Sequence, residues 1–173
     1  SINVNTTFNN SDNPGYAVGE TAHAQFSWIA SLGPSFLSQE ASFVGEVAWN
    51  TRVKVTRNEA MLNPNADRSA TALRMVFAPS YRQALPGLDL TPSLGIGWGW
   101  GKSSAVGPAF AVDKGGDLTL GLGAVYLGSW NANLAYTHYL GPERPTLDNN
   151  SNAQFTQALK DRNSVSLSLR TTF

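Results

Sequence analysis

The sequence predicts an all-β chain: a transmembrane antiparallel up-and-down β-barrel of about eight strands, or the C-terminal part of a larger barrel. Three observations carry this reading. Apolar and polar residues alternate with a period of two through stretches of about ten residues, and helical periodicity is almost absent. The connections between those stretches alternate long and short, as they do in outer-membrane barrels. Aromatic residues collect near strand ends, where amphipathic rings meet a lipid headgroup boundary.

Taken in order, a weak opening strand runs through Ile2, Val4, Thr6 and Phe8. The next, from about Ala22 to Ala30, puts Ala22, Ala24, Phe26, Trp28 and Ala30 on one face. In the third, Phe43, Val47, Trp49, Val53 and Val55 oppose Glu46, Asn50, Arg52 and Lys54. In the fourth, Leu73, Met75, Phe77 and Tyr81 oppose Arg74, Ser80 and Arg82. Leu88, Leu90, Leu94, Ile96, Trp98 and Trp100 then alternate with Asp89, Thr91, Ser93, Gly95, Gly97 and Gly99. Leu118, Leu120, Leu122 and Tyr126 alternate with Asp117, Thr119, Gly121 and Gly123, and a further strand runs from Trp130 to about Tyr139. The last places Val165, Leu167, Leu169, Thr171 and Phe173 opposite Ser164, Ser166, Ser168, Arg170 and Thr172. Such strands are greasy on one side and wet on the other.

The connections at 9–18, 57–68, 101–116 and 141–162 are long and polar, those at 83–87 and 128–129 are tight, and 32–39 is intermediate. If the chain ends in the periplasm, counting back from Phe173 puts every long loop outside and every short turn inside. The same count sends Trp28, Tyr81, Tyr126 and Trp130 to the periplasmic girdle, and Trp98 and Trp100 to the outer one. A closed barrel would also leave no exposed strand edge. Pro79 and Pro92 each lack a ladder donor inside a strand. They reflect onto each other across the turn near Leu85, so a bulge or a loss of pairing is expected there.

Composition narrows the classes. Charged residues are 14% of the 173-residue chain, against roughly 25% in ordinary soluble domains. Twelve basic residues balance twelve acidic ones, which leaves no electrostatic footprint for nucleic acid. Cysteine is absent, so disulfides, thiolate metal sites and a cysteine nucleophile fall away together. No apolar run reaches the length of a transmembrane helix, whereas a membrane strand needs only about 9–11 residues. The chain reads as one domain over 1–173. It opens at Ser1 without a leader, as a processed form or a piece of something longer would.

Phe173, preceded by Val165, Leu167 and Leu169 at alternating positions, resembles the C-terminal signal read by the outer-membrane assembly machinery of Gram-negative bacteria. Thr171 stands where many such signals carry an aromatic. A more specific resemblance spans about Gly15 to Phe173. It rests on Gly15-Tyr16, Gly19-Glu20-Thr21, His23-Ala24-Gln25-Phe26-Ser27 and Gly45-Glu46-Val47-Ala48-Trp49-Asn50. It continues through Leu85-Pro86-Gly87-Leu88-Asp89-Leu90, Tyr136-Thr137-His138-Tyr139, Gly141-Pro142-Glu143 and Lys160-Asp161-Arg162. In these segments the chain resembles the large outer-membrane proteins grouped as domain of unknown function 1302. Members are several times longer, so the resemblance implies the C-terminal strands of a bigger barrel. Their genes tend to lie beside those of a periplasmic lipid-carrier-like protein and of inner-membrane exporters. That implies handling of apolar molecules at the outer membrane and brings no catalytic residue.

Among the residues that carry chemistry, Glu46, Asn50, Arg52, Lys54, Arg74 and Arg82 concentrate charge on the wet faces of adjacent strands. They either line a pore and select solutes or form cross-strand pairs that stabilise a polar lumen. Enzymatic work would need a histidine beside a serine. His23 lies on a wet face and His138 at a strand end, positions that suit interior or loop hydrogen bonds better. Asn63, Asn65 and Asp67 have calcium-loop spacing but lack that motif's glycine and closing glutamate, and turn formation explains them better. Gly95, Gly97, Gly99 and Gly101 have the wrong spacing for a phosphate loop and leave room for close packing or lumen water. The segment 152–160 is expected to make one or two helical turns, with Phe155 and Leu159 on a face folded over the mouth.

The function expected is an outer-membrane channel or transport component for hydrophobic or amphipathic small molecules, not an enzyme, with no cofactor and no metal. Its partners would be outer-membrane lipid, the assembly machinery and the periplasmic lipid-carrier-like protein. A non-transporting barrel whose long loops bind is the alternative, since eight strands enclose an interior that side chains fill. A soluble barrel around a lipophilic ligand would need an apolar lumen, against which the charged inner faces argue.

Overall fold

The alternating stretches form one sheet of seven strands in the computed structural model, which describes residues 9 and 12–172. The strands are β1 (Val18–Leu32), β2 (Glu40–Arg57), β3 (Ser69–Leu85), β4 (Leu88–Trp100), β5 (Gly115–Tyr126), β6 (Trp130–Leu140) and β7 (Ser164–Thr171). Their spatial order is their chain order, and every neighbouring pair is antiparallel. The expected opening strand over Ile2 to Phe8 lies outside the described residues. β1 and β3 begin earlier than the alternation suggests, at Val18 and Ser69, because small and polar residues at a strand end read as loop.

The connections alternate as the sequence implies. Loops 58–68, 101–114 and 141–163 lie at one end of the sheet, and 33–39, 86–87 and 127–129 at the other. Leu127 and Gly128 both take positive φ, 51° and 69°, the left-handed pair a tight hairpin needs to match strand twist. Phe77 faces Leu94 and Tyr81 faces Leu90, with no ladder pairs between. Pro79 and Pro92 therefore stand opposite each other in the gap that their missing N–H groups make. A register shift follows before Leu85, around Gln83 at φ 51°.

The sheet does not close. Among the described residues β1 pairs only with β2, and β7 only with β6. β1 and β7 also run in the same direction, so an antiparallel closure would need an odd number of strands between them.

The ladder register sorts side chains into two faces. Trp28, Gly45, Met75, Ile96, Leu118 and His138 form one transverse row. Ala30, Phe43, Phe77, Leu94, Leu120, Tyr136 and Val165 form the next. This face is apolar across all seven strands, and among the described residues no second layer packs on it. Only Ala41, Ala70 and Phe155 are buried hydrophobic residues among those described, while Val165, Leu167 and Leu169 on β7 are 69%, 73% and 67% exposed. A domain in water packs a second layer onto such a face.

Candidate functional site

The opposite face carries the charge. One of its transverse rows reads Ser27, Glu46, Arg74, Gly97, Asp117 and Tyr139 from β1 to β6. Glu46 stands directly opposite Arg74, yet the guanidinium turns the other way. It reaches across β4 to Asp117, with Nη2 2.6 Å from Oδ1 and Nη1 3.4 Å from Oδ2. The path crosses Gly97, where a Cβ would stand 2.8 Å from both Arg74 Nη2 and Asp117 Oδ1. Glycine at 97 thus lets an ion pair span two strand spacings. Glu46 accepts a hydrogen bond from Ser27 Oγ at 3.3 Å and makes no ion pair among the described residues.

Loop 101–114 folds back over this face. Ser103 reaches β2, where its hydroxyl donates to Asn50 Oδ1 at 2.7 Å, and both residues are 1% exposed. Ser103 Oγ also accepts the Val106 N–H at 3.0 Å. The loop is tied at its base by Gly101 N–H to Asp113 Oδ1, 2.8 Å, and at its flank by a reciprocal pair between Asp67 and Lys102, 2.7 and 3.0 Å. The small-residue stripe makes the approach possible. A Cβ at Gly99 would collide with the Val112 carbonyl and the Ala111 methyl, and one at Gly115 with Val112 and the Leu140 carbonyl. Between loop and sheet lies a cavity of about 560 Å³, with Val106, Phe110 and Val112 on the loop side and Glu46, Arg74 and Asp117 on the sheet side.

The long loops clasp one another. Asn63 Nδ2 donates to the Ala153 carbonyl at 2.8 Å and Asn65 Nδ2 to Asp148 Oδ2 at 2.9 Å. The Asn150 and Asn152 N–H groups donate to Asp148 Oδ1 at 2.9 and 2.8 Å. The Asn65 amide first, then the Asn152 N–H, hold the Asp148 carboxyl below its ordinary range. Asn63 and Asn65 therefore build a turn and a clasp: Asn63 Oδ1 accepts the Asn65 N–H at 2.9 Å. The helical turns expected over 152–160 do not form. Leu147 bridges to Ala153, the Gln157 N–H donates to the Pro142 carbonyl, and Gln157 Nε2 donates to Gly116 O at 2.9 Å, so the segment is spent on tertiary bonds. Phe155 is buried beneath it and Leu159 is exposed.

The charged residues singled out from the sequence divide. Glu46, Asn50 and Arg74 gather under loop 101–114. Arg82 lies towards the opposite end, paired with Glu40 at 2.7 Å. Arg52 faces Thr21, but a register shift follows and Lys54 faces Glu20. Arg52 and Lys54 both line a small cavity shared with Ser104 and Ala105 of loop 101–114. Asp117, Tyr139, Gln157 and Ser103 complete the site and were not singled out. Reflecting Arg74 across two hairpins, through Gly97 to Asp117, is the signal that finds its partner.

Most of the aromatic residues singled out stand near the two ends of the sheet. Tyr126 faces Trp130 across the short hairpin, Tyr81 donates its hydroxyl to the Leu37 carbonyl at 2.7 Å, and Trp98 and Trp100 end β4 at the long-loop side. Trp28 instead lies over Gly45 between Phe26 and Phe43, with ring centroids 5.9 and 5.8 Å away. Its indole N–H is buried without a hydrogen-bond partner among the described residues, unlike that of a ring at a headgroup boundary. His23 lies on the polar face and bonds Thr21 Oγ1 at 3.0 Å, and His138 bonds Asn163 Oδ1 at 2.9 Å. Val165, Leu167 and Leu169 line the apolar face of the edge strand β7; Phe173 lies outside the described residues.

Fold and site together define an antiparallel up-and-down sheet, apolar on one face and polar on the other, with an infolded loop packed over the polar face. A family model described as a protein of unknown function (DUF1302) matches residues 2–173, and the chain belongs to that family. No curated protein and no solved structure matches it significantly.

Proposed function

We propose that this chain forms wall strands of a β-barrel in the outer membrane of a Gram-negative bacterium, and that the barrel is a channel or transport component for hydrophobic or amphipathic small molecules. The observation that carries the proposal is the bare apolar face: seven strands present it together, with no layer over it among the described residues. Lipid is the solvent that fits such a face, and strands β1 to β6, of 11 to 18 residues, exceed or match the roughly 9–11 needed to cross. The mixed cavity under loop 101–114 supports an amphipathic solute. Outer-membrane lipid, the assembly machinery acting on Val165, Leu167, Leu169 and Phe173, and a periplasmic lipid-carrier-like protein are the partners this reading supplies.

Conductance of the full-length protein in a planar bilayer tests it. Discrete current steps are expected, and their amplitude should change when Arg74→Gln alters the inner face. The interlocking of loops 58–68 and 141–163 through Asn63 and Asn65 favours a second reading, a plugged barrel whose loops bind at the surface. A silent bilayer with correctly inserted protein would select that reading over transport.

A further inference from the structure

Resting on the transport reading, we infer that the cavity beneath loop 101–114 is a solute subsite selective for cationic amphiphiles, small molecules with an ammonium group on an apolar body. Its volume, about 560 Å³, falls within the range of roughly 300–1,000 Å³ for small-molecule pockets. Its two walls differ in chemistry. Val106, Phe110 and Val112 line the loop side and would cover an apolar body. The charged groups lining the cavity are Glu46, Arg74 and Asp117, which sum to one net negative charge. Arg74 neutralises Asp117 at 2.6 Å and, among the described residues, leaves the Glu46 carboxylate with only the Ser27 hydroxyl. Because Arg74 faces Glu46 in the ladder, it can exchange one acid for the other, and either way one carboxylate remains to meet a cation.

The distinguishing feature is the charge arithmetic. Neutralising either acid balances the cavity, and removing the arginine doubles its charge. Three probes of one shape read this out: 2-phenylethylammonium, 2-phenylethanol and 3-phenylpropionate, titrated onto the full-length protein in detergent by ligand-observed NMR. The cation should bind about fivefold more tightly than the alcohol, as a partly exposed charge contact allows, and the anion more weakly than either. Glu46→Gln and Asp117→Asn should each bring the cation level with the alcohol, and Arg74→Gln should widen the gap. Glu40→Gln, which removes a carboxylate from the same face beside Arg82, should change nothing. Equal binding of cation and alcohol, a preference for the anion, or a cation preference untouched by both acid variants would each overturn the subsite. Bilayer steps from the same preparation separate the two claims: steps without cation preference overturn the subsite and leave transport standing, and silence without binding overturns both.

Discussion

Removing the Ser103 hydroxyl should loosen loop 101–114 from the sheet. That hydroxyl donates to Asn50 and accepts from the Val106 N–H, in surroundings where Ser103 and Asn50 are each 1% exposed. Asn50 Nδ2 is already buried without a partner among the described residues, so Ser103→Ala leaves the whole amide unsatisfied. Orphaning a buried polar group costs about 1–3 kcal/mol, which raises the open population of the loop by about 5- to 150-fold at 1.4 kcal/mol per decade. The assay is amide hydrogen exchange at Val106 and at Gly107, whose N–H bonds the Ser103 carbonyl. Both should exchange faster by that factor, while amides of the β5–β6 ladder stay protected. The double variant Asn50→Leu with Ser103→Ala should recover most of the protection at Gly107, because replacing both side-chain partners by apolar groups of similar shape is nearly neutral, while Val106 stays fast for want of its Ser103 Oγ acceptor. Unchanged exchange in the single variant, or no recovery in the double, would refute the idea that this bond docks the loop.

Further outcomes follow from other contacts. Gly45→Val places a side chain inside the volume of the Trp28 ring and should lower the unfolding free energy of the refolded protein, read by urea titration, by about 1–3 kcal/mol, the cost of overpacking. Leu134→Arg on the apolar face should cost about 2–4 kcal/mol in bilayer vesicles, as a charge facing lipid does, whereas Asn133→Arg on the polar face should leave the midpoint within error. The carboxyl of Asp148 is lowered by the Asn65 and Asn152 donors. The clasp is therefore at full strength above the unfolded aspartate value of about 3.9 and is lost as pH falls through the lower folded value. Exchange at the Asn150 and Asn152 amides should accelerate over that interval, and Asp148→Asn should abolish the pH dependence.

Much of the sheet was legible because a period of two has only two phases. Leu88 to Trp100 and Leu118 to Tyr126 assign their own faces, and the opposed prolines announce the ladder gap between Phe77 and Tyr81. What stayed hidden depends on contacts far apart in the chain. Loop 101–114 has no periodicity, and its docking shows in the sequence only as the room left by Gly97, Gly99 and Gly115. The register shift between Glu20 and Thr21 is likewise silent in an alternation pattern until the partner strand is known. The segment 152–160 reads as helical from Phe155 and Leu159, but its backbone groups find partners at Thr146 and Pro142 instead. Alternation and loop lengths do not show where a sheet closes, and the seven described strands leave both edges open.

The central claim is that the apolar face meets lipid and the polar face meets water, and the absence of cysteine gives a clean background for testing it. Single cysteines at Leu120 and Leu134 report one face, and at Thr119 and Thr137 the other, the last two being neighbours at 3.1 Å across the β5–β6 ladder. Each is exposed to a membrane-impermeant maleimide in outer-membrane vesicles carrying the full-length protein. The account predicts labelling at 119 and 137 and protection at 120 and 134 until the lipid is dissolved. Equal labelling at all four positions, or labelling at 120 and 134 alone, would contradict it.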